Sequence, residues 1–174
     1  EPGSTFKMVT AAAALEEGLI DPEETLDCEM GGITLAGVRI SDHKAFGTLT
    51  FRDVIAKSSN VGTIKTSLRL SNATFYDAIR AFGFGRTSGL DLPGESPGLL
   101  MPVARWPALA KAYISFGQGI SITPLQLALA FGAVALAIIM TAVWTAVVGY
   151  KIVLEDRAIG DRRALWTTVA VLAA

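Results

Sequence analysis

Residues 127–150 carry no charged side chain, and Thr141 and Thr145 are the main polar interruptions. An apolar run of 24 residues has few ways to fold, because its surface must be covered by protein or by lipid. Read as one helix it extends about 36 Å at about 1.5 Å per residue. That length is enough to cross a hydrocarbon core of about 30 Å. The other reading is a buried helix to about Ala137, followed by irregular or β-like segments over residues 138–148 and 150–154. A sequence altered after Ala135 would look the same. Both readings stay open at this stage. The run also explains why 51% of the chain is hydrophobic and only 18% charged, with the excess in the C-terminal third.

At 174 residues the chain has the length of one domain. Its net charge of −1 shows no basic patch, so no nucleic-acid partner is expected. Cys28 is the only cysteine and His43 the only histidine, which excludes an intrachain disulfide and a cysteine-rich metal site. A Ser-His-Asp hydrolase would have to use His43, and no Gly-x-Ser-x-Gly turn is present. Neither a Gly-rich phosphate loop nor a carboxylate-histidine cluster occurs, so no cofactor or metal is expected. The chain opens on Glu1-Pro2-Gly3 with no leader, and a piece of a longer protein is the expectation.

Chemistry is concentrated in the first turn, Glu1-Pro2-Gly3-Ser4-Thr5-Phe6-Lys7. The alanine run that follows predicts a helix over residues 4–17, with Gly18 as its stop. On such a helix the i, i+3 spacing puts Ser4 and Lys7 on one face. A serine hydroxyl becomes an effective nucleophile when a base within reach takes its proton. Lysine can be that base where burial and the helix N-terminus lower its pKa. Ser41 and Lys44 share the spacing, but no helical pattern follows them, and they are read as a chance match.

Further along, β-like runs cover residues 25–29 and 33–40, the second broken at Gly37. Helices are predicted over residues 51–57 behind Thr50, over 61–70 with Val61, Ile64 and Leu68 apolar, and over 73–82 behind Asn72. Residues 89–101 read as a Pro/Gly-rich loop, 107–116 as a helix, and Thr123-Pro124 as a helix start. Lys57-Ser58-Ser59-Asn60 falls in the break between two of these helices. A hydroxyl and a carboxamide there can project towards a cleft. Ser58 can relay a proton, and Asn60 offers a donor and an acceptor to a peptide-like substrate.

Ser-x-x-Lys followed by Ser-x-Asn, each in its own local context, is far more specific than either alone. With Phe82-Gly83-Phe84-Gly85, residues 89–95, Phe116-Gly117-Gln118-Gly119 and Thr123-Pro124-Leu125-Gln126, the sequence resembles the transpeptidase domain of class B penicillin-binding proteins, most closely the cell-division type. The resemblance covers residues 1–135, a partial transpeptidase domain, and leaves 136–174 as a divergent apolar tail. It implies the helical part of an α/β penicillin-recognising fold, shared with serine β-lactamases, with an incomplete central sheet. It also implies a peptidoglycan D,D-transpeptidase at the bacterial cell membrane, with its catalytic domain on the periplasmic or outer face and divisome membrane proteins as partners. By motif, Ser4 would attack the stem peptide's penultimate D-alanine carbonyl, Lys7 would be the base, Ser58 the relay and Asn60 a substrate ligand. β-Lactams would acylate Ser4 instead. The rivals are a serine β-lactamase-like hydrolase and a non-catalytic remnant or membrane-associated interaction module. The family's Lys-Thr-Gly, on the strand beside an oxyanion-hole donor, occurs nowhere in the 174 residues, so impaired activity is expected.

Overall fold

The computed structural model describes residues 1–159. Contacts divide the chain into two compact units, Glu1–Leu129 and Ala130–Ala174.

The first unit is a helical layer with two small hairpin-like ladders. A 3₁₀ turn, Gly3–Phe6, runs directly into α1 (Lys7–Glu16). Strands β1 (Thr25–Asp27) and β4 (Thr48–Thr50) pair antiparallel, with Leu26 opposite Leu49. Between them β2 (Gly32–Leu35) and β3 (Val38–Ser41) form a second antiparallel pair around Ala36 and Gly37, both at positive φ. That geometry is the tight hairpin turn that follows the twist of its strands. α2 (Phe51–Ala56) starts behind Thr50, whose hydroxyl accepts the Asp53 N–H at 3.2 Å.

At the centre is α3 (Asn60–Arg69), which packs against α1, α2, α5 (Ala110–Ser115) and strands β1 and β3. A helix covered on so many sides turns several of its small polar residues inward. Ser59, Thr63, Thr66 and Ser67 are all fully buried, and each hydroxyl is satisfied. Thr63 and Thr66 donate to the carbonyls four residues back, which lets a polar side chain fill a close helix contact. Gly62 belongs to the same contact, since a Cβ there would meet the Val54 methyls of α2 at about 2.5 Å. Leu68, expected on the apolar face with Val61 and Ile64, is instead 46% exposed. The buried face is set by Val61, Ile64 and the small polar residues.

α4 (Asn72–Ala81) begins one residue before the expected start, with Ser71 as its cap. Its Phe75 and Ile79 join Phe6 and Phe84 in the core, where the Phe6 and Phe84 rings meet at a tilt of 50° with centroids 5.3 Å apart. The predicted 107–116 helix is shorter, Ala110–Ser115, because residues 108–109 form a turn before it. Thr123 and Gln126 form a reciprocal cap at the start of α6 (Pro124–Ile159), each side chain accepting the other's backbone N–H.

α6 continues as one helix to Ile159, so among the described residues the irregular or β-like segments of the second reading, after Ala137, are not found. Valine and isoleucine at residues 138–148 suggest strand locally, but alanines recur through the run and no proline interrupts it. Pro124–Lys151, 28 residues, is long and apolar enough to cross a membrane. Thr141 and Thr145 satisfy their hydroxyls on carbonyls one turn back, at 2.9 and 2.8 Å. The end of the expected 136–174 tail, beyond Ile159, lies outside the described residues.

Candidate active site

Ser4 is held at the surface by the segment around it. The Gly3 N–H donates to Gly117 O at 3.0 Å, and the Gly119 N–H donates to Glu1 Oε1 at 2.8 Å. One turn deeper, Thr10 Oγ1 donates to Ser115 O at 2.7 Å. Residues 115–119 thus clamp the start of the chain. Gly117 is at φ +83°, and a Cβ on it would lie 2.1 Å from Gly3 O. This requirement for a bare backbone gives the Gly117-Gln118-Gly119 block a physical reason.

Ser4 lies in the 3₁₀ turn and Lys7, three residues on, opens α1, a spacing at which side chains of such a turn share one side. Ser4 is exposed, whereas Lys7 is 2% exposed. The Lys7 ammonium reaches across to the α2–α3 break, donating to Ser58 O at 2.6 Å and Ser58 Oγ at 2.9 Å. Burial lowers its pKa from 10.5 to about 8, and the nearby Asp42 carboxylate opposes that fall. Lys7 is therefore a buried amine with a substantial neutral population just above neutral pH.

Ser58 sits at φ +58°, a left-handed conformation uncommon for serine, in the turn that ends α2. This turn aims both its carbonyl and its hydroxyl at Lys7. Asn60 is the first residue of α3, and its Nδ2 donates to Ser41 O at 2.9 Å. The structure thus brings Lys7 and Ser58 into direct contact, puts Ser4 one turn before Lys7, and sets Asn60 two residues beyond Ser58.

Asp42 was not singled out in the sequence, yet its carboxylate organises this turn. It accepts Ser59 Oγ–H at 2.7 Å, Val61 N–H at 3.0 Å, and the Asn60 N–H. No local signal marks it, since its partners lie 17 to 19 residues away. Ser41 and Lys44 do not repeat the Ser4–Lys7 arrangement, because Ser41 ends strand β3 and Lys44 lies in an exposed loop. His43 packs edge-on to Phe46, and burial pushes the Cys28 thiol up and away from thiolate. A groove of about 610 Å³ lined by Glu1, Met101, Trp106, Tyr113 and Gly119 lies beside the clamp, and none of Ser4, Lys7, Ser58 or Asn60 lines it. Among the described residues no cluster of metal-ligating side chains occurs.

A sequence model of the penicillin binding protein transpeptidase domain matches residues 1–146. The chain belongs to that family. Penicillin-binding protein PbpB of Mycolicibacterium smegmatis is 43% identical over 137 residues, 78% of this chain and 21% of the relative. The peptidoglycan D,D-transpeptidase FtsI of Escherichia coli K12 is 38% identical over 128 residues, 74% of this chain and 21% of the relative. The chain thus spans about a fifth of the length of the curated relatives it matches. The transpeptidase domain of Burkholderia pseudomallei penicillin-binding protein 3 superposes with a TM-score of 0.76 at 34% identity, covering 78% of this chain and 41% of that one. Penicillin-binding protein 3 of Mycobacterium tuberculosis, solved in complex with aztreonam, gives 0.68 at 42% identity, covering 73% and 29%. These relatives are of the class B, cell-division type. The architecture described above, helix-rich with small sheets, is that of the penicillin-recognising fold.

Proposed function

We propose that this penicillin-binding protein segment carries the acylation centre of a peptidoglycan D,D-transpeptidase, with Ser4 as nucleophile. The observation that carries the reading is the buried Lys7 amine in contact with Ser58 Oγ, one 3₁₀ turn from an exposed Ser4. Neutral Lys7 takes the Ser4 proton as Ser4 Oγ attacks the penultimate D-alanine carbonyl. The tetrahedral adduct collapses as the C–N bond breaks. The leaving D-alanine amine takes its proton from Lys7 through Ser58 Oγ. The amine of a second stem peptide then attacks the ester, its proton passing through neutral Lys7 to Ser4 Oγ as the ester C–O bond breaks, which frees Ser4 and leaves a new amide cross-link. A β-lactam enters the same sequence, but its leaving nitrogen stays tethered and the ester persists.

Asn60 Nδ2 binds the substrate backbone in this reading, exchanging its Ser41 partner, and its position two residues beyond Ser58 supports that role. The apolar Pro124–Lys151 helix suits a location at the cell membrane, with the site on its outer face where stem peptides are found. Labelling with a fluorescent penicillin tests the acylation centre. A label in the native sequence that disappears in Ser4→Ala is expected, whereas a label retained by Ser4→Ala removes the reading. A β-lactamase-like hydrolase would turn nitrocefin over catalytically, and a transpeptidase centre gives at most one equivalent.

A further inference from the structure

We propose that Asp42 is a positioning residue for the Lys7–Ser58 pair, anchoring the Ser58–Asn60 turn and holding a negative charge behind the amine. The proposal rests on the reading of Lys7 as the base. Asp42 lies just after β3 and reaches the N-terminus of α3 through three hydrogen bonds, to Ser59 Oγ and to the backbone N–H groups of Asn60 and Val61. A carboxylate there satisfies N–H groups that the helix leaves open and suits the positive end of its dipole. Ser59 is the cap of α3 and is fully buried; its oxygen also accepts the Gly62 N–H at 3.0 Å.

Ser58, the next residue back, is pinned between this anchor and the end of α2, where its N–H donates to Ile55 O at 3.1 Å. A serine held at both ends at φ +58° has its carbonyl and hydroxyl fixed towards Lys7. Strain of that kind persists when the surroundings over-determine it.

The second part of the role is electrostatic. On the helices packed against α1, Asp53 pairs with Lys57, Lys65 with Glu29 and Arg69 with Glu24. Asp77 is exposed, Arg80 donates to Gly85 O, and Lys111 donates to Leu70 O. The Asp42 carboxylate, bonded to Ser59 next to the Ser58 that meets Lys7, is the neighbouring charge that opposes the fall burial imposes on the amine. It supports the protonated amine, so it keeps the base near physiological pH when burial alone would drive it lower.

The test follows Lys7 and the turn separately, by NMR on the detergent-solubilised 174-residue chain with ¹³C-labelled lysine. Asp42→Asn keeps an oxygen for the Asn60 and Val61 N–H groups but removes the charge. The expected result is a fold retained by thermal melting and a Lys7 titration midpoint moved down from about 8. Asp42→Glu, which restores the charge, should bring the midpoint back towards the native value. An unchanged midpoint in a folded Asp42→Asn chain overturns the proposal. If that variant does not fold, the native chain decides. Its Asn60 and Val61 amides should be protected from hydrogen exchange as bonded groups, and amides that exchange as fast as solvated ones overturn the anchor. Penicillin labelling of Ser4 in the native chain is run alongside. Its absence would count against the acylation reading without touching the Lys7 midpoint, so the two failures are distinguishable.

Discussion

Gly117→Ala is expected to unfold the clamp on the nucleophile. The new Cβ would stand 2.1 Å from Gly3 O, whereas ordinary contact begins near 3.4 Å, so the two backbones must part by about 1 Å. Neither is a flexible side chain that can turn aside. An alanine at φ +83° costs of order 1–3 kcal/mol by itself. Opening the Gly3–Gly117 hydrogen bond costs about 1 kcal/mol more. Relieving the overlap adds about 1–3 kcal/mol. The sum is about 3–7 kcal/mol, of which relaxation of the turn recovers some. Urea unfolding of the 174-residue chain reads it directly, and a fall in melting temperature of about 10 °C accompanies a loss of about 4 kcal/mol. Gly119→Ala is the control. Its φ of +71° carries the same backbone cost, but a Cβ there meets nothing within 4 Å. A loss for Gly117→Ala equal to that for Gly119→Ala, within about 0.5 kcal/mol, would refute the clamp. Any residual acylation of Ser4 should fall more steeply than stability, because a displacement of about 1 Å at a reacting group costs on the order of a hundredfold in rate.

Burial of the Lys7 amine also makes a prediction about pH and stability. Its folded pKa, about 8, lies below its ordinary 10.5, so between these values the unfolded chain holds the extra proton and stability rises with pH. The rise amounts to about 3 kcal/mol in total, flat below pH 8 and complete above 10.5. Lys7→Met should remove that increment from the pH–stability curve measured by urea unfolding, and an unchanged curve would mean that Lys7 is solvated. The same pKa makes acylation rise about tenfold from pH 7 to pH 9 as the neutral amine grows from about a tenth to nine tenths. Alanine at His43 or Lys44 should leave penicillin labelling within a few-fold of native, and a hundredfold loss at either would relocate the site.

What could be read in the sequence was what depends on neighbours. Ser4 and Lys7 are three residues apart, Ser58 and Asn60 share one helix break, and Thr123-Pro124 opens one helix. Helix caps were misplaced by a residue where two capping side chains adjoin: Ser71 rather than Asn72 makes the bond. What depends on distant chain was hidden. Leu68 looks apolar and inward, yet it faces out because Thr63, Thr66 and Ser67 occupy the crowded side of α3. Asp42 looks like a loop carboxylate until β3 brings it to the α3 N-terminus. The apolar tail stayed open between one helix and irregular or β-like segments, since β-branched residues suggest strand locally while the unbroken run allows a helix, and the structure carries the helix to Ile159.

The most direct measurement is intact-mass and peptide-mapping mass spectrometry of the purified 174-residue chain after penicillin treatment. One β-lactam per chain, mapped to the peptide that contains Ser4 and absent in Ser4→Ala, is the expected result. The adduct should form slowly, because no Lys-Thr-Gly occurs in these residues and loss of one oxyanion-hole donor costs about 10²–10³ in rate. An adduct on Ser41, Ser58 or any residue other than Ser4, or no adduct at all from a chain shown by melting to be folded, would contradict the account.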